Sequence, residues 1–226
     1  MLLLALDTSA AATVALLRDG AAVGRFGSSD TRSHAAGLAP AVQRVLADAG
    51  ATGKDLDGIV AGVGPGPFTG LRAGLVTART LAFVWDVPLH GVMSLDALAY
   101  DAAYGGTVPA GTDFLVGTDA RRGEVYWALY RAPADPGVLP RLLDGPRVDR
   151  APSLPRGVPL VGRAAGLYPE DLHGPADLAS ADPDAASLGR VAHLRLLAGE
   201  PLLGTEPLYL RESDAQVPGP RKRATA

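Results

Sequence analysis

A chain of 226 residues, 47% hydrophobic and 20% charged, is long enough to bury a sizeable core in one large domain or two small ones. Its 21 basic and 24 acidic residues give a net charge of −3, which argues against an autonomous nucleic-acid-binding module because such modules need a basic surface. The lack of cysteine excludes disulfides, zinc–thiolate sites and thiol chemistry. No apolar run approaches the roughly 20 residues of a membrane span, and the apolar start has no basic leader, so we expect a cytoplasmic protein.

The chain opens with three predicted strands, Leu2–Leu6, Thr13–Leu17 and Ala21–Phe26, the last two joined by a turn at Asp19-Gly20. Asp7 follows the first strand and has two interpretations. It is either a magnesium or phosphate contact, as in ATP-hydrolysing proteins that begin in this way, or a turn residue that binds its own backbone. The turn after Asp7 contains no glycine, which favours the second interpretation.

A first helix is predicted over His34–Ala49, capped by Ser33 and closed by Gly50. Pro40 predicts a late start or a bend in this helix because proline lacks the amide donor. Its apolar stripe consists of Leu38, Val42, Val45, Leu46 and Ala49.

The next segment is the most distinctive of the chain: a short strand Ile59–Ala61, a turn over Gly64–Pro67 and a long helix that starts after the predicted cap Thr69. The turn could present amides to an anion, but it lacks the Gly-Lys-Ser/Thr ending of a phosphate-binding loop and contains two prolines, so a structural turn is favoured. In the helix, small residues recur every four positions, which fits either the close approach of another subunit or packing inside one domain. These residues are Gly70, Gly74, Ala78 and Ala82.

A break at Tyr104–Pro109 is the predicted boundary between a first lobe, residues 1–105, and a smaller second lobe, residues 106–216. Residues 217–226 are predicted to be a disordered tail. The proline-rich stretch from Ala132 to Pro159 predicts loops and short edge strands. The other predicted elements are strands at Val87–Val92, Phe114–Gly117, Val125–Tyr130, Leu160–Gly162 and Leu208–Arg211 and helices at Ser94–Ala102 and Ala185–Leu197.

Four segments together resemble the TsaB (YeaZ) family, bacterial partner proteins in threonylcarbamoyladenosine modification of tRNA. They are LALDTS from Leu4, GVGPGPFTGLRAGLVTARTLAF from Gly62, DARRGEVY from Asp119 and PLYLR from Pro207, in the expected order over almost the whole chain. The resemblance implies an α/β fold of two lobes of the actin, Hsp70 and sugar-kinase type, a duplicated RNase H-like unit with mixed sheets and flanking helices.

The resemblance also implies a non-catalytic role. The catalytic relative, TsaD, binds its metal through a His-x-x-x-His pair, and the corresponding positions here are Ser94 and Leu98. Neither side chain replaces imidazole as a metal ligand, so no catalytic, metal or cofactor residue is expected, and nucleotide is expected only at an interface with a partner.

The implied function is to bind and activate a TsaD-like transferase, together with a TsaE-like ATPase, for modification of adenosine-37 in tRNAs that read ANN codons. The tRNA would be contacted only through the complex, and the chain alone would form a homodimer. The implied interface comprises helices 34–49 and 69–84, with Leu38, Val42, Val45, Leu46, Gly70, Leu71, Gly74, Leu75 and Ala78 as its residues.

Two other functions stay open. One is a free-standing ATP-dependent phosphotransferase of the same superfamily, and the other is an RNA-binding module, which the acidic balance disfavours. The charged turn with Asp119, Arg121, Arg122 and Glu124 is either a docking site or a solvated turn. Arg72 and Arg79 are likewise either partner contacts or solvated side chains.

Overall fold

A computed structural model describes residues 1–28, 34–135 and 137–211. The predicted helix cap Ser33 and the predicted tail 217–226 lie outside the described residues. In chain order the elements are β1 Leu2–Asp7, β2 Thr13–Arg18, β3 Ala21–Gly27, α1 His34–Asp48, β4 Gly58–Gly62, α2 Phe68–Trp85, β5 Leu89–Val92, α3 Ser94–Tyr104, β6 Asp113–Arg121, β7 Glu124–Arg131, β8 Arg141–Arg150, β9 Leu160–Val161, α4 Arg163–Leu167 and α5 Ala185–Leu197.

The first sheet has the order β3-β2-β1-β4-β5, with β1, β2 and β3 antiparallel and β4 and β5 parallel to β1. Every residue of β1 is buried, because the sheet is covered on both faces. Leu2, Leu4 and Leu6 face α1 and α2, whereas Leu3 and Ala5 face α5. This alternation follows from the two-residue period of a strand, so one apolar run serves two cores.

The second sheet has the order β8-β7-β6-β9, with only β9 parallel to its neighbour. The helix α3 packs on one face through Phe114, Val116 and Tyr130, and α4 packs on the other face against Leu115. The predicted α/β architecture of two mixed sheets with flanking helices is confirmed. None of the helices in the described part of the chain combines the length and apolarity that a membrane span requires.

Three local predictions need correction. The helix α2 begins at Phe68 after Pro67, which is extended and makes no side-chain cap bond, so Thr69 is not the cap. Of the two outcomes predicted for Pro40, the late start does not occur, because α1 begins at His34 and contains Pro40 on its exposed side. The region predicted as loops and short strands contains the ten-residue β8 at the edge of the second sheet, where Pro146 can be accommodated because an edge strand leaves donors unpaired.

The predicted second lobe, residues 106–216, is not one packing unit. The second sheet does begin after the break at 104–109, but α5 returns to the first sheet and packs on β1 and β2. Leu188 and Val191 lie in the same core as Leu3 and Leu17, and Ala185 N donates to Thr13 Oγ1 at 3.1 Å. The apolar face of α5 therefore covers one side of the first sheet, which residues 1–105 alone would leave exposed.

Candidate functional site

The nine residues predicted to form a partner interface are all buried inside this chain, so in this conformation their side chains pack within it. The apolar stripe of α1 and the small-residue stripe of α2 pack against each other and against the first sheet. Buried side chains cannot reach a partner, so only the outer sides of the two helices are available. The nine are Leu38, Val42, Val45, Leu46, Gly70, Leu71, Gly74, Leu75 and Ala78.

The small residues of α2 allow the turn between β1 and β2 to pack directly against the helix backbone. Thr8 Oγ1 donates to the carbonyl of Gly70 at 2.8 Å, and a Cβ atom at position 74 would lie 2.2 Å from the same Oγ1. A Cβ atom at Gly66 would lie 2.7 Å from the carbonyl oxygen of Ser9. The small-residue stripe of α2 therefore packs against another segment of the same chain, as the second of its two interpretations predicted.

Asp7 lies at the centre of a buried polar cluster where the carboxyl ends of β1 and β4 meet. One carboxylate oxygen accepts from Ser9 N at 2.8 Å and Ser9 Oγ at 2.6 Å, and the other accepts from Ser94 Oγ at 2.6 Å. Ser94 in turn accepts from the amide of Gly64 at 3.1 Å. These bonds are those of a turn residue, and both carboxylate oxygens face donors of the chain itself.

The loop from Gly62 to Gly66 is shaped to close over this cluster. Gly62 lies against the carboxylate, and a Cβ atom there would be 1.9 Å from Asp7 Oδ2. Gly64 adopts φ +96°, which favours glycine, and its carbonyl accepts from Ser94 N at 2.8 Å. The amides of Gly64 and Val63 are thus used internally, Val63 N donating to Val92 O at 3.0 Å, which supports the structural interpretation of this turn.

Burial raises the pKa of Asp7 to about 6, although the bonds from Ser9 and Ser94 act in the opposite direction. Because Asp7 holds its proton more tightly in the folded chain than in the unfolded chain, the contribution of Asp7 to folding stability is greatest below its ordinary pKa of about 3.8 and is lost as the pH rises through about 6. At neutral pH the ionised carboxylate is therefore a destabilising group, tolerated because three donors surround it.

Asp7→Asn is expected to remove this pH dependence. The wild-type chain should lose roughly 2 kcal/mol of unfolding free energy between pH 4 and pH 7 through this group, and the variant should not, because asparagine stays neutral. Urea unfolding at several pH values measures the difference. Asp48→Asn, at an exposed position on α1, is the control and should keep the wild-type slope. An equal slope in Asp7→Asn and wild type would contradict the assignment.

The two positions that correspond to the metal-binding histidines of the catalytic relative are interior residues. Ser94 is bound to Asp7, and Leu98 lies in the core between α3 and the second sheet. Within residues 1–28, 34–135 and 137–211, no three histidine, aspartate or glutamate side chains are grouped as a metal site would require. A cavity of about 690 Å³ opens between the loops 152–160 and 170–175 of the second sheet, and none of the predicted site residues lines it.

The outer face of α2 is apolar, and sequence reasoning missed it. Phe83 is 87% exposed, Val76 60% and Phe68 53%. Together with Arg72 and Arg79 they lie within an arc of roughly 80° on the helix, given 100° per residue. The signal was present in the sequence, because large apolar residues recur on the side of the helix opposite the small-residue stripe.

Both arginines of this face have partners within the chain. The Arg72 guanidinium lies 4.3 Å from the centre of the Phe68 ring, and Arg79 binds the side chain and carbonyl of Thr205. Both remain exposed. They lie between the three apolar side chains, which stay exposed, so this face of α2, defined by Phe68, Arg72, Val76, Arg79 and Phe83, is the candidate docking face.

The predicted charged turn is used inside the chain as well. Asp119 pairs with Arg121 at 3.1 Å, and Glu124 pairs with Arg211 at 3.2 Å. Arg121 and Arg122 have positive φ values, so this is a tight β6–β7 turn. The cluster therefore holds the end of the described chain, an alternative that neither sequence interpretation contained.

Comparison with known proteins identifies relatives of this chain. The sequence model of the tRNA N6-adenosine threonylcarbamoyltransferase family, TsaD, matches residues 28–135. A TsaB protein of Bacillus subtilis, named for tRNA threonylcarbamoyladenosine biosynthesis, is 37% identical over 134 residues, 58% of this chain and 56% of that protein. An uncharacterized protein of Mycobacterium leprae is 36% identical over 233 residues, 95% of this chain and 56% of that protein. The chain thus spans little more than half the length of these curated relatives.

A solved structure covers the whole fold. YeaZ from Pseudomonas aeruginosa is 31% identical, with a TM-score of 0.76 over 92% of this chain and 99% of that one. The resemblance to the TsaB (YeaZ) family that was inferred from four sequence segments is confirmed. This chain belongs to the TsaB (YeaZ) family.

Proposed function

We propose that this chain is a non-catalytic subunit of the system that forms N6-threonylcarbamoyladenosine at adenosine-37 of tRNA, and that it binds and activates a TsaD-like transferase. Two kinds of observation support the proposal. Relatives in the family are named as biosynthesis proteins of this modification. The chain also carries an exposed apolar face on α2 of a kind that marks interaction sites.

The docking face is the observation that carries the proposal. Phe68, Val76 and Phe83 stand outward from one rigid helix, and large aromatic side chains on a rigid element are typical anchors of protein interfaces. The helix itself is held by its buried stripe, so the face is preorganised and little ordering entropy is lost on binding.

A TsaD-like occupant is favoured because the TsaD family model matches residues 28–135, the part of this chain that contains α1 and α2. A related partner has equivalent helices, so the two proteins can join through corresponding faces about an approximate twofold axis. Two copies of this chain would join in the same way when the partner is absent and would then form a homodimer. A TsaE-like ATPase would complete the assembly, and a nucleotide would be bound only where subunits meet.

The phosphotransferase alternative is disfavoured by the surroundings of Asp7. Its carboxylate is buried, and one oxygen accepts hydrogen bonds from Ser9 while the other accepts a hydrogen bond from Ser94. A residue that positions a phosphate or its cation has to reach the ligand, and here the loop at Gly62 lies directly against it. Micromolar binding of magnesium-ATP to the isolated chain, with turnover, would overturn the subunit proposal.

Phe83→Asp is expected to weaken binding of the TsaD-like subunit from the same organism by at least 30-fold, because it places a charge where an apolar anchor is desolvated. The folded state should be unaffected, since Phe83 is 87% exposed. Calorimetric titration measures the affinity. Formation of the modified nucleoside on a tRNA transcript, with the ATPase present, measures the consequence for activity.

Leu197→Asp is the matched control. Leu197 is also an exposed apolar residue at a helix end, but α5 lies on the opposite side of the first sheet from α2. This control should retain wild-type affinity and modification. Equal affinities for Phe83→Asp and wild type would show that the face is not the interface, and failure of the wild-type chain to bind would overturn the proposed function.

A further inference from the structure

Residues Leu203–Arg211, here called the strap, cross from the first sheet to the second. The strap is anchored first at β5, where Leu203 and Gly91 exchange backbone hydrogen bonds of 3.0 and 2.8 Å. A Cβ atom at Gly91 would lie 2.0 Å from the carbonyl oxygen of Gly204, so the two backbones are in contact. Further along, Leu208 N donates to Val63 O at 2.8 Å, beside the loop that closes over Asp7.

The middle of the strap adjoins the docking face. Arg79 donates to Thr205 Oγ1 at 3.2 Å and to Thr205 O at 2.8 Å. The ring of Tyr209 lies 4.9 Å from the ring of Phe68, and the guanidinium of Arg72 lies 4.3 Å from the centre of the same Phe68 ring. Tyr209 remains 40% exposed, so it extends the apolar surface of α2 with a residue from a different segment.

The far end of the strap is attached to the β6–β7 turn. Arg211 Nη1 donates to the carbonyl of Ala120 at 3.1 Å, and its Nε lies 3.2 Å from Glu124. Both side chains of this ion pair are partly buried, which strengthens it relative to a fully exposed pair. Only Leu210 separates Arg211 from Tyr209, so a constraint on the tyrosine ring restricts the arginine as well.

We propose that the strap is part of the docking surface and that it transmits occupancy of this surface to the β6–β7 turn of the second lobe. The inference rests on the proposed function, because the occupant is the TsaD-like subunit. A partner that covers Phe68 and Tyr209 fixes the strap and thereby favours the arrangement in which Arg211 holds the turn. By thermodynamic reciprocity, loosening the turn weakens binding at the docking face.

Hydrogen exchange of the amides at 120–125, followed by mass spectrometry, tests the connection first in the isolated chain. Tyr209→Ala and Arg211→Ala should each accelerate exchange of these amides at least threefold. Arg131→Ala is the control, because Arg131 pairs with Asp113 at the other end of β7. Unchanged exchange in both strap variants would overturn the proposal without reference to any partner.

The second arm adds the TsaD-like subunit. Exchange at 120–125 should slow at least threefold in the wild-type chain and much less in Arg211→Ala, which should itself bind a few-fold more weakly. Binding through Phe83 without slowing at 120–125 would overturn the transmission while leaving the proposed function intact. If the wild-type chain binds no TsaD-like subunit, the proposed function fails, and the docking role of the strap fails with it.

Discussion

Gly62→Ala is expected to destabilise the folded chain by about 4 kcal/mol, at the upper end for a single added methyl group. The new Cβ atom would lie 1.9 Å from Asp7 Oδ2 and 2.9 Å from Ser94 Oγ. Neither group can retreat, because both are buried and are bound to each other at 2.6 Å. Urea unfolding followed by circular dichroism measures the loss.

Gly58→Ala is the control, because Gly58 stands at the other end of the same strand, where a Cβ atom would meet its neighbours at 3.4 Å or more. Its stability should change by less than about 1 kcal/mol. The double variant Asp7→Ala/Gly62→Ala should lose less stability than the sum of the losses of the two single variants. The difference should exceed about 1 kcal/mol, because removal of the carboxylate makes room for the new methyl group. Strict additivity would mean that the contact with Asp7 is not the cause.

Arg195→Leu is expected to cost about 4 kcal/mol at pH 7, the effect of leaving a buried carboxylate without its cation. Asp96 is buried on α3 and binds Arg195 Nη2 at 2.9 Å and the Tyr130 hydroxyl at 2.7 Å. It thereby joins α5 to β7. Leucine keeps part of the packing of the arginine stem, so the loss reports on the charge.

The pH dependence of this loss identifies its cause. Burial already raises the pKa of Asp96, and removal of Arg195 raises it further, so the carboxyl group of the variant becomes protonated as the pH falls. The difference between variant and wild type should therefore shrink from pH 7 to pH 4.5, and Asp96→Asn should recover stability in the Arg195→Leu background. Arg131→Leu, which breaks an exposed pair, should show little change. A loss independent of pH would indicate packing instead of charge.

Local patterns were sufficient for most of the fold. The alternation in Leu2–Leu6, the turn at Asp19-Gly20 and the spacing of Leu38, Val42 and Val45 depend on short-range rules, and each of these elements is present at nearly the predicted bounds. Such signals are strong because a strand or helix that is buried on one side must repeat its apolar residues with the period of its backbone.

Contacts between distant segments could not be predicted in the same way. A stripe of small residues indicates that another segment approaches α2 closely, but it does not show whether that segment belongs to the same chain. Here the approaching residue is Thr8 of the same chain. Ser94 was identified only by its position relative to a catalytic family, whereas its bond to Asp7 spans 87 residues of sequence. The docking face could not be recognised first, because the small-residue stripe on the buried side of α2 is the stronger pattern in the sequence.

The return of α5 to the first sheet also affects how the chain can fold during synthesis. The bond from Ala185 to Thr13 closes a loop of 172 residues, and the side of the sheet formed by Leu3, Ala5 and Leu17 stays open until that loop closes. On the ribosome, the first sheet therefore exposes an apolar surface until α5 has been made. A nascent chain of this design depends on chaperones for longer than one whose amino-terminal half can fold by itself.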